Sequence, residues 1–215
     1  MNIVIGNQKG GVGKSTLCIL LANYLALIHE KESLILDLDF QSSITSLWEK
    51  DRANFDNKAL YEVVNLELDE FDHVKNKLRQ VHGHVIIDLP GKMDDNELIP
   101  IYRFADLVIC PFGYDKVSFE STLVFAQIVL HLNKSVPIAF IPNRLKAGVH
   151  YELKAQVNGV LKKFGKVFPE LPDRIAFQRI DTLSIPGEID AFVRITFDAI
   201  HNHHLTAAGR THGEN

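Results

Sequence analysis

Cysteine is scarce in this 215-residue chain: there are two, Cys18 and Cys110. Two thiols far apart in sequence suggest no disulfide framework and fit a reducing cytoplasm. They form no C-x-x-C pair, which disfavours an iron–sulfur cluster shared between subunits. Long apolar runs are also missing. No stretch approaches the roughly 18 residues that a membrane span needs. The opening MNIVIGNQ has neither a basic flank nor a long apolar segment, so it does not read as a secretory signal. A strong excess of one charge is missing too, since 23 Lys and Arg face 27 Asp and Glu. The balance is uneven along the chain, however. Residues 30–99 hold 8 basic against 16 acidic side chains, and residues 144–215 hold 10 against 8. Any nucleic-acid surface belongs in the C-terminal third, although an ordinary solvated surface would give the same modest bias.

What the chain does have is 46% hydrophobic residues, enough for a substantial core, laid out as short apolar runs between amphipathic segments. Runs at 2–5, 33–38, 84–89, 107–111 and 138–142 are continuous rather than alternating, as strands covered on both faces should be. Residues 174–177 are a weaker sixth candidate. Helical spacing covers 14–28, 70–81, 119–132, 151–164 and 188–201. This alternation predicts an α/β fold: a doubly wound, mainly parallel sheet with helices on both faces. One domain over residues 1–205, followed by a polar tail at 206–215, is the economical organisation. In the last helix Ile189, Phe192, Val193, Thr196, Phe197 and Ile200 form one apolar stripe. Its polar face offers Asp190 and Asp198 against Arg194, which favours packing on the sheet over lying on a membrane. The terminal region holds four of the ten histidines. A solvated terminus accounts for them better than a metal site does.

The chemistry concentrates at GNQKGGVGKST, residues 6–16, between the first strand and first helix. It follows the G-x-x-x-x-G-K-[ST] phosphate loop except that Gln8 fills the first glycine slot and Lys9 adds a second lysine. Gly10, Gly11, Val12, Gly13, Lys14, Ser15 and Thr16 form the expected nucleotide cradle. The glycines let successive N–H groups converge on phosphate oxygens. The helix start adds its positive dipole end. Lys14 should reach the β- and γ-phosphates of ATP, and the Ser15 hydroxyl should ligate Mg²⁺. Strand-end carboxylates at Asp37, Asp39 and Asp88 are placed to hold Mg²⁺ or orient water. Asp37 and Asp39, two apart, should point to the same side of a strand. A competing reading makes both of them helix caps.

K-G-G-V-G-K-S at 9–15 resembles the deviant phosphate loop of the ParA/MinD family of ATPases. The longer N-Q-K-G-G-V-G-K-S-T at 7–16 is especially similar to the ParA partition branch. LDLDFQSS at 36–43 resembles that family's D-x-D-P-Q segment, with Phe40 in place of proline. VIIDLPG at 85–91 completes a likeness that covers roughly the first 145 residues. The chain has no N-terminal DNA-binding extension and is similar in length to small plasmid-type members.

The resemblance implies an ATP-dependent homodimer in which Lys9 crosses to the partner's phosphates, much as an arginine finger does. Asp39 would position the attacking water and Asp37 would support it or Mg²⁺. Asp88 would bind Mg²⁺ through water, and Gly91 would offer an N–H to the γ-phosphate. Asn143-Arg144, after the strand at 138–142, would read the adenine edge; an ordinary turn is the competing reading. The implied function is a cytoplasmic switch in plasmid or chromosome partition, with non-specific DNA and a ParB-like stimulating partner and without a membrane. Lys154, Lys162, Lys163 and Lys166 are the candidate DNA contacts. A MinD-like membrane-positioning ATPase, a ligase similar to dethiobiotin synthetase and an adaptor with negligible turnover are the alternatives.

Overall fold

The computed structural model describes residues 1–91 and 96–206. The predicted tail lies outside the described residues from 207 onward, His212 included.

Five of the apolar runs become strands: β1 (Asn2–Ile5), β2 (Ser33–Asp37), β4 (His84–Asp88), β5 (Leu107–Phe112) and β6 (Ile138–Pro142). Two further strands, β3 (Glu62–Asn65) and β7 (Lys166–Val167), close the edges. All pairs are parallel, in the order β3-β2-β4-β1-β5-β6-β7. The central strands are buried on both faces, which is why their sequences are continuous apolar runs. The edge strands escaped prediction for the same reason. In β3 only Val63 is buried, and β7 has two residues, so neither makes a run.

Among the described residues, seven α-helices cover the sheet. α1 (Lys14–His29), α2 (Ser43–Asn54) and α7 (Gly187–Ile200) share one apolar cluster with one face. α3 (Phe71–Leu78), α4 (Leu98–Phe104), α5 (Lys116–Leu132) and α6 (Lys154–Leu161) pack on the other. The expected doubly wound α/β architecture is therefore present. The α7 stripe is used internally: Ile189, Val193, Thr196, Phe197 and Ile200 are buried and Phe192 is half-buried. Among the described residues no helix is long and apolar enough to cross a membrane.

Two expectations need correction. Residues 174–177 are not a strand; Ile175–Gln178 form a 3₁₀ turn, with Ile175 63% exposed. Three apolar-looking residues carry too little periodicity to separate a strand from a turn. Asp37 and Asp39 do not share a strand either, because β2 ends at Asp37 and Asp39 lies in the loop that follows. α2 and α4 went unpredicted. α2 buries only Ile44, Trp48 and Asp51 in an otherwise polar sequence. α4 carries Pro100 in its first turn, where a missing N–H costs nothing.

Candidate functional site

Parallel register brings the chemistry to one edge. Ile5, Asp88 and Asp37 are successive register partners on β1, β4 and β2, so three strands end at one level. Their loops, carrying residues 6–13, 38–42 and 89–91, leave from the carboxyl ends, where open α/β sheets place their ligands.

The phosphate loop is built on its glycines. Gly11 and Gly13 have φ of 74° and 93°, left-handed values that disfavour a side chain. Gly13 sits at the N-cap of α1, whose first turn holds no acidic residue and no side-chain cap. Its N–H groups and positive dipole end are thus left for an anion. Lys14 is 8% exposed, and its ammonium makes no ion pair among the described residues. A methyl group on Gly91 would stand 3.8 Å from Lys14 Nζ and 3.7 Å from Gly10 Cα, so the loop after β4 lies against the phosphate loop.

Below them the Ser15 hydroxyl donates to Asp88 Oδ2 at 2.5 Å. Asp88 is fully buried, and among the described residues its Oδ1 has no hydrogen-bond partner. Burial pushes this carboxyl up to about 7; neighbouring Asp37 adds to the rise, while the Ser15 hydrogen bond and Lys14 oppose it. A buried carboxylate with one open oxygen beside a hydroxyl suits a hard, oxygen-seeking cation such as Mg²⁺, directly or through water. Among the described residues no cluster of three or more His, Cys, Asp or Glu could hold a metal unaided. Any Mg²⁺ here would complete its shell with phosphate oxygens and water.

Asp37 and Asp39 have separated roles. Asp37 Oδ2 accepts from the Thr45 N–H and hydroxyl, both at 2.9 Å, and so holds the start of α2. Asp39 is half-buried; its Oδ1 accepts from the Gln41 N–H at 3.1 Å, and Phe40 beside it is 76% exposed. The half-buried Lys9 is tethered only by its backbone N–H, which donates to Asn7 Oδ1 at 3.0 Å; its ammonium has no ion pair among the described residues.

Sequence reasoning missed Asn7, a buried amide that donates to Pro111 O at 2.8 Å and to Thr122 Oγ1 at 2.9 Å. It ties the root of the phosphate loop to β5 and α5. Its signal was available as a polar residue two positions after the wholly buried run of β1. Thr45 was also missed, because α2 itself was.

Asn143 and Arg144 face the phosphate loop. Asn143 Nδ2 donates to Val12 O and Arg144 Nη1 donates to Gly11 O, each at 2.8 Å. Beside them is a cleft of about 320 Å³ lined by Gly13, Thr16, Arg144, Pro172, Phe177 and Gln178, among others. A larger groove of about 820 Å³ lies alongside, between the 145–152 loop, α6 and Phe192. It is separate from the strand-end carboxylates. Lys154 lines it and pairs with Glu170 at 2.5 Å. Lys162, Lys163 and Lys166 lie instead beyond α6 and at the start of β7.

Known proteins resemble this chain in sequence or in fold. The chromosome-partitioning ATPase Soj of Thermus thermophilus is 54% identical over 44 residues, a segment that spans 20% of this chain and 17% of that relative. A plasmid partition protein from Borrelia burgdorferi B31, solved with AMPPNP, has the same fold with a TM-score of 0.75 at 21% identity, covering 94% of this chain and 98% of that one. ParA of pNOB8, solved on non-specific DNA, gives a TM-score of 0.55 at 20% identity over 75% of this chain and 74% of its own. Residues 3–183 match the CobQ/CobB/MinD/ParA nucleotide-binding domain. With that match over most of the chain, its phosphate loop and its strand-end carboxylates, the protein belongs to the CobQ/CobB/MinD/ParA family.

Proposed function

We propose that this protein is a Mg²⁺-dependent ATPase that works as a dimerising switch in DNA partition or a related mobile-element process. The observation that carries this reading is the Ser15–Asp88 contact beneath the uncapped start of α1, with Lys14 and Gly91 on the same level. The α1 N–H groups and Lys14 bind and orient the triphosphate. Ser15 would hold Mg²⁺ directly and Asp88 through water, and the bound ion would supply charge neutralisation at the phosphate oxygens. Asp39, on the loop that opens after β2, orients the attacking water. Gly91 lets the loop after β4 approach the terminal phosphate and sense its loss. Lys9, tethered by its backbone and free of an ion pair, reaches toward the phosphates of a second copy. Each nucleotide state thereby presents a different surface to DNA and to a stimulating protein.

DNA binding would be phosphate-directed and salt-dependent. Lys154, committed to Glu170, is the poorest of the four candidate contacts. Lys162, Lys163 and Lys166 are exposed and free of ion pairs among the described residues. Lys162 and Lys163 follow α6, and Lys166, at the start of β7, lies over the Phe168 ring.

A phosphate-release assay with Mg²⁺ and ATP tests the reading, with Lys14→Ala as the control. Release that needs both Mg²⁺ and Lys14 supports it, whereas release unchanged in Lys14→Ala rejects it.

A further inference from the structure

We infer that Asn143 and Arg144 are positioning residues of the phosphate loop, which set the direction of its N–H groups. The inference rests on the ATP-binding reading above and concerns how that site is kept ready.

A cradle of N–H groups requires that the carbonyls of the same peptides point the other way. In a trans peptide the C=O of one residue is antiparallel to the N–H of the next. The Gly11 carbonyl therefore fixes the Val12 N–H, and the Val12 carbonyl fixes the Gly13 N–H. These are the two carbonyls that the segment after β6 holds: Arg144 Nη1 donates to Gly11 O and Asn143 Nδ2 to Val12 O, both at 2.8 Å.

The holder is itself firmly mounted. The Asn143 N–H donates to Phe112 O at 2.8 Å, and the Leu145 N–H to Leu171 O at 3.1 Å. Asn143 Oδ1 accepts the Arg144 N–H at 2.9 Å, which supports the left-handed turn of Arg144 at φ 59°. Asn143 is 7% exposed. Both ends of its amide are thus engaged by the chain, one N–H and one lone pair at a time, so the side chain is held in place from two sides. Contact is also close enough to select glycine at 13, since a Cβ there would stand 2.5 Å from Asn143 Nδ2.

The test compares ATP with inorganic tripolyphosphate, which has no base. For Asn143→Ala both affinities should fall together, by about tenfold, the worth of one buried hydrogen bond with its partner left unmade. Arg144→Gly suits the positive φ and alters a half-exposed side chain; it should weaken both ligands by about threefold. Selective loss of ATP with tripolyphosphate unchanged would overturn the inference, as would no loss of either. Amide exchange at residues 12–14 in the nucleotide-free protein provides a second readout, expected to quicken several-fold in both variants. If the wild-type chain bound neither ligand, the ATPase reading would fall, and exchange alone would decide the brace: unchanged rates would reject it.

Discussion

The Ser15 hydroxyl donates to one oxygen of Asp88, while the other, also buried, has no hydrogen-bond partner among the described residues. Hydroxyl and carboxylate come from different elements, the start of α1 and the end of β4, joined by parallel pairing with β1. Asp88→Asn keeps the shape and the Ser15 contact but removes the charge that a cation needs. Mg²⁺-dependent phosphate release should fall at least about a hundredfold, while circular dichroism stays unchanged. A variant that retained full turnover would remove Asp88 from the site.

Lys9 separates binding from turnover. Lys14 lies at the start of α1, whereas Lys9 stands on the loop before it and has no ion pair among the described residues. Lys9→Ala should keep ATP affinity within about threefold and lose ATP-driven association and hydrolysis, in the range that a lost charge at the transition state costs. Fluorescent-nucleotide binding and phosphate release on the same preparation check it. Normal hydrolysis would make Lys9 a solvated loop charge.

The lysines between the end of α6 and the start of β7 make DNA binding testable by its salt response. Each phosphate contact lowers the slope of log K against log salt by about one. Replacing Lys162, Lys163 and Lys166 together by Ala should reduce that slope by about two to three, while Lys154→Ala leaves it unchanged. Anisotropy titrations on random-sequence duplex at several salt concentrations measure both.

A pH effect arises away from the nucleotide. His84, at the start of β4, is pushed down to about 4, first by burial and then by the Met1 ammonium, His201, Lys31 and His29. His29, stacked on His201 with ring centroids 3.7 Å apart, is lowered as well, first by burial and then by His201. A histidine whose folded value lies below its unfolded one resists protonation in the native state. Its contribution is complete above the unfolded value, near 6.5, and is lost as pH falls toward 4. Allowing for partial solvent screening, His84 should contribute about 1–2 kcal/mol to that loss. Urea midpoints at pH 7 and pH 4.5 should differ less in His84→Gln than in the wild type.

The layout of the site was legible because its determinants are local. GNQKGGVGKST places glycine, lysine and serine at fixed spacing between a strand and a helix, and Asp88 ends an apolar run. Asp37 was harder to interpret. Its carboxylate faces Thr45, eight residues on, at the start of a helix whose buried positions are only 44, 48 and 51. Asn143 lay beyond local reasoning altogether, because its partner Val12 is 131 residues away in sequence. The edge strands β3 and β7 were invisible for the opposite reason: they bury so little that their sequences carry no strand pattern.

The central claim is that ATP, and not ADP, joins two copies of this chain. Asp39→Ala removes the carboxylate on the loop after β2 that is assigned to the attacking water, so ATP should bind without being consumed. Light scattering coupled to size exclusion, with Mg²⁺ and either ADP or ATP, measures the result directly. The account predicts a monomer with ADP and a dimer near twice the 24.3 kDa chain mass with ATP in Asp39→Ala. A monomer under both conditions, with ATP bound, would contradict it.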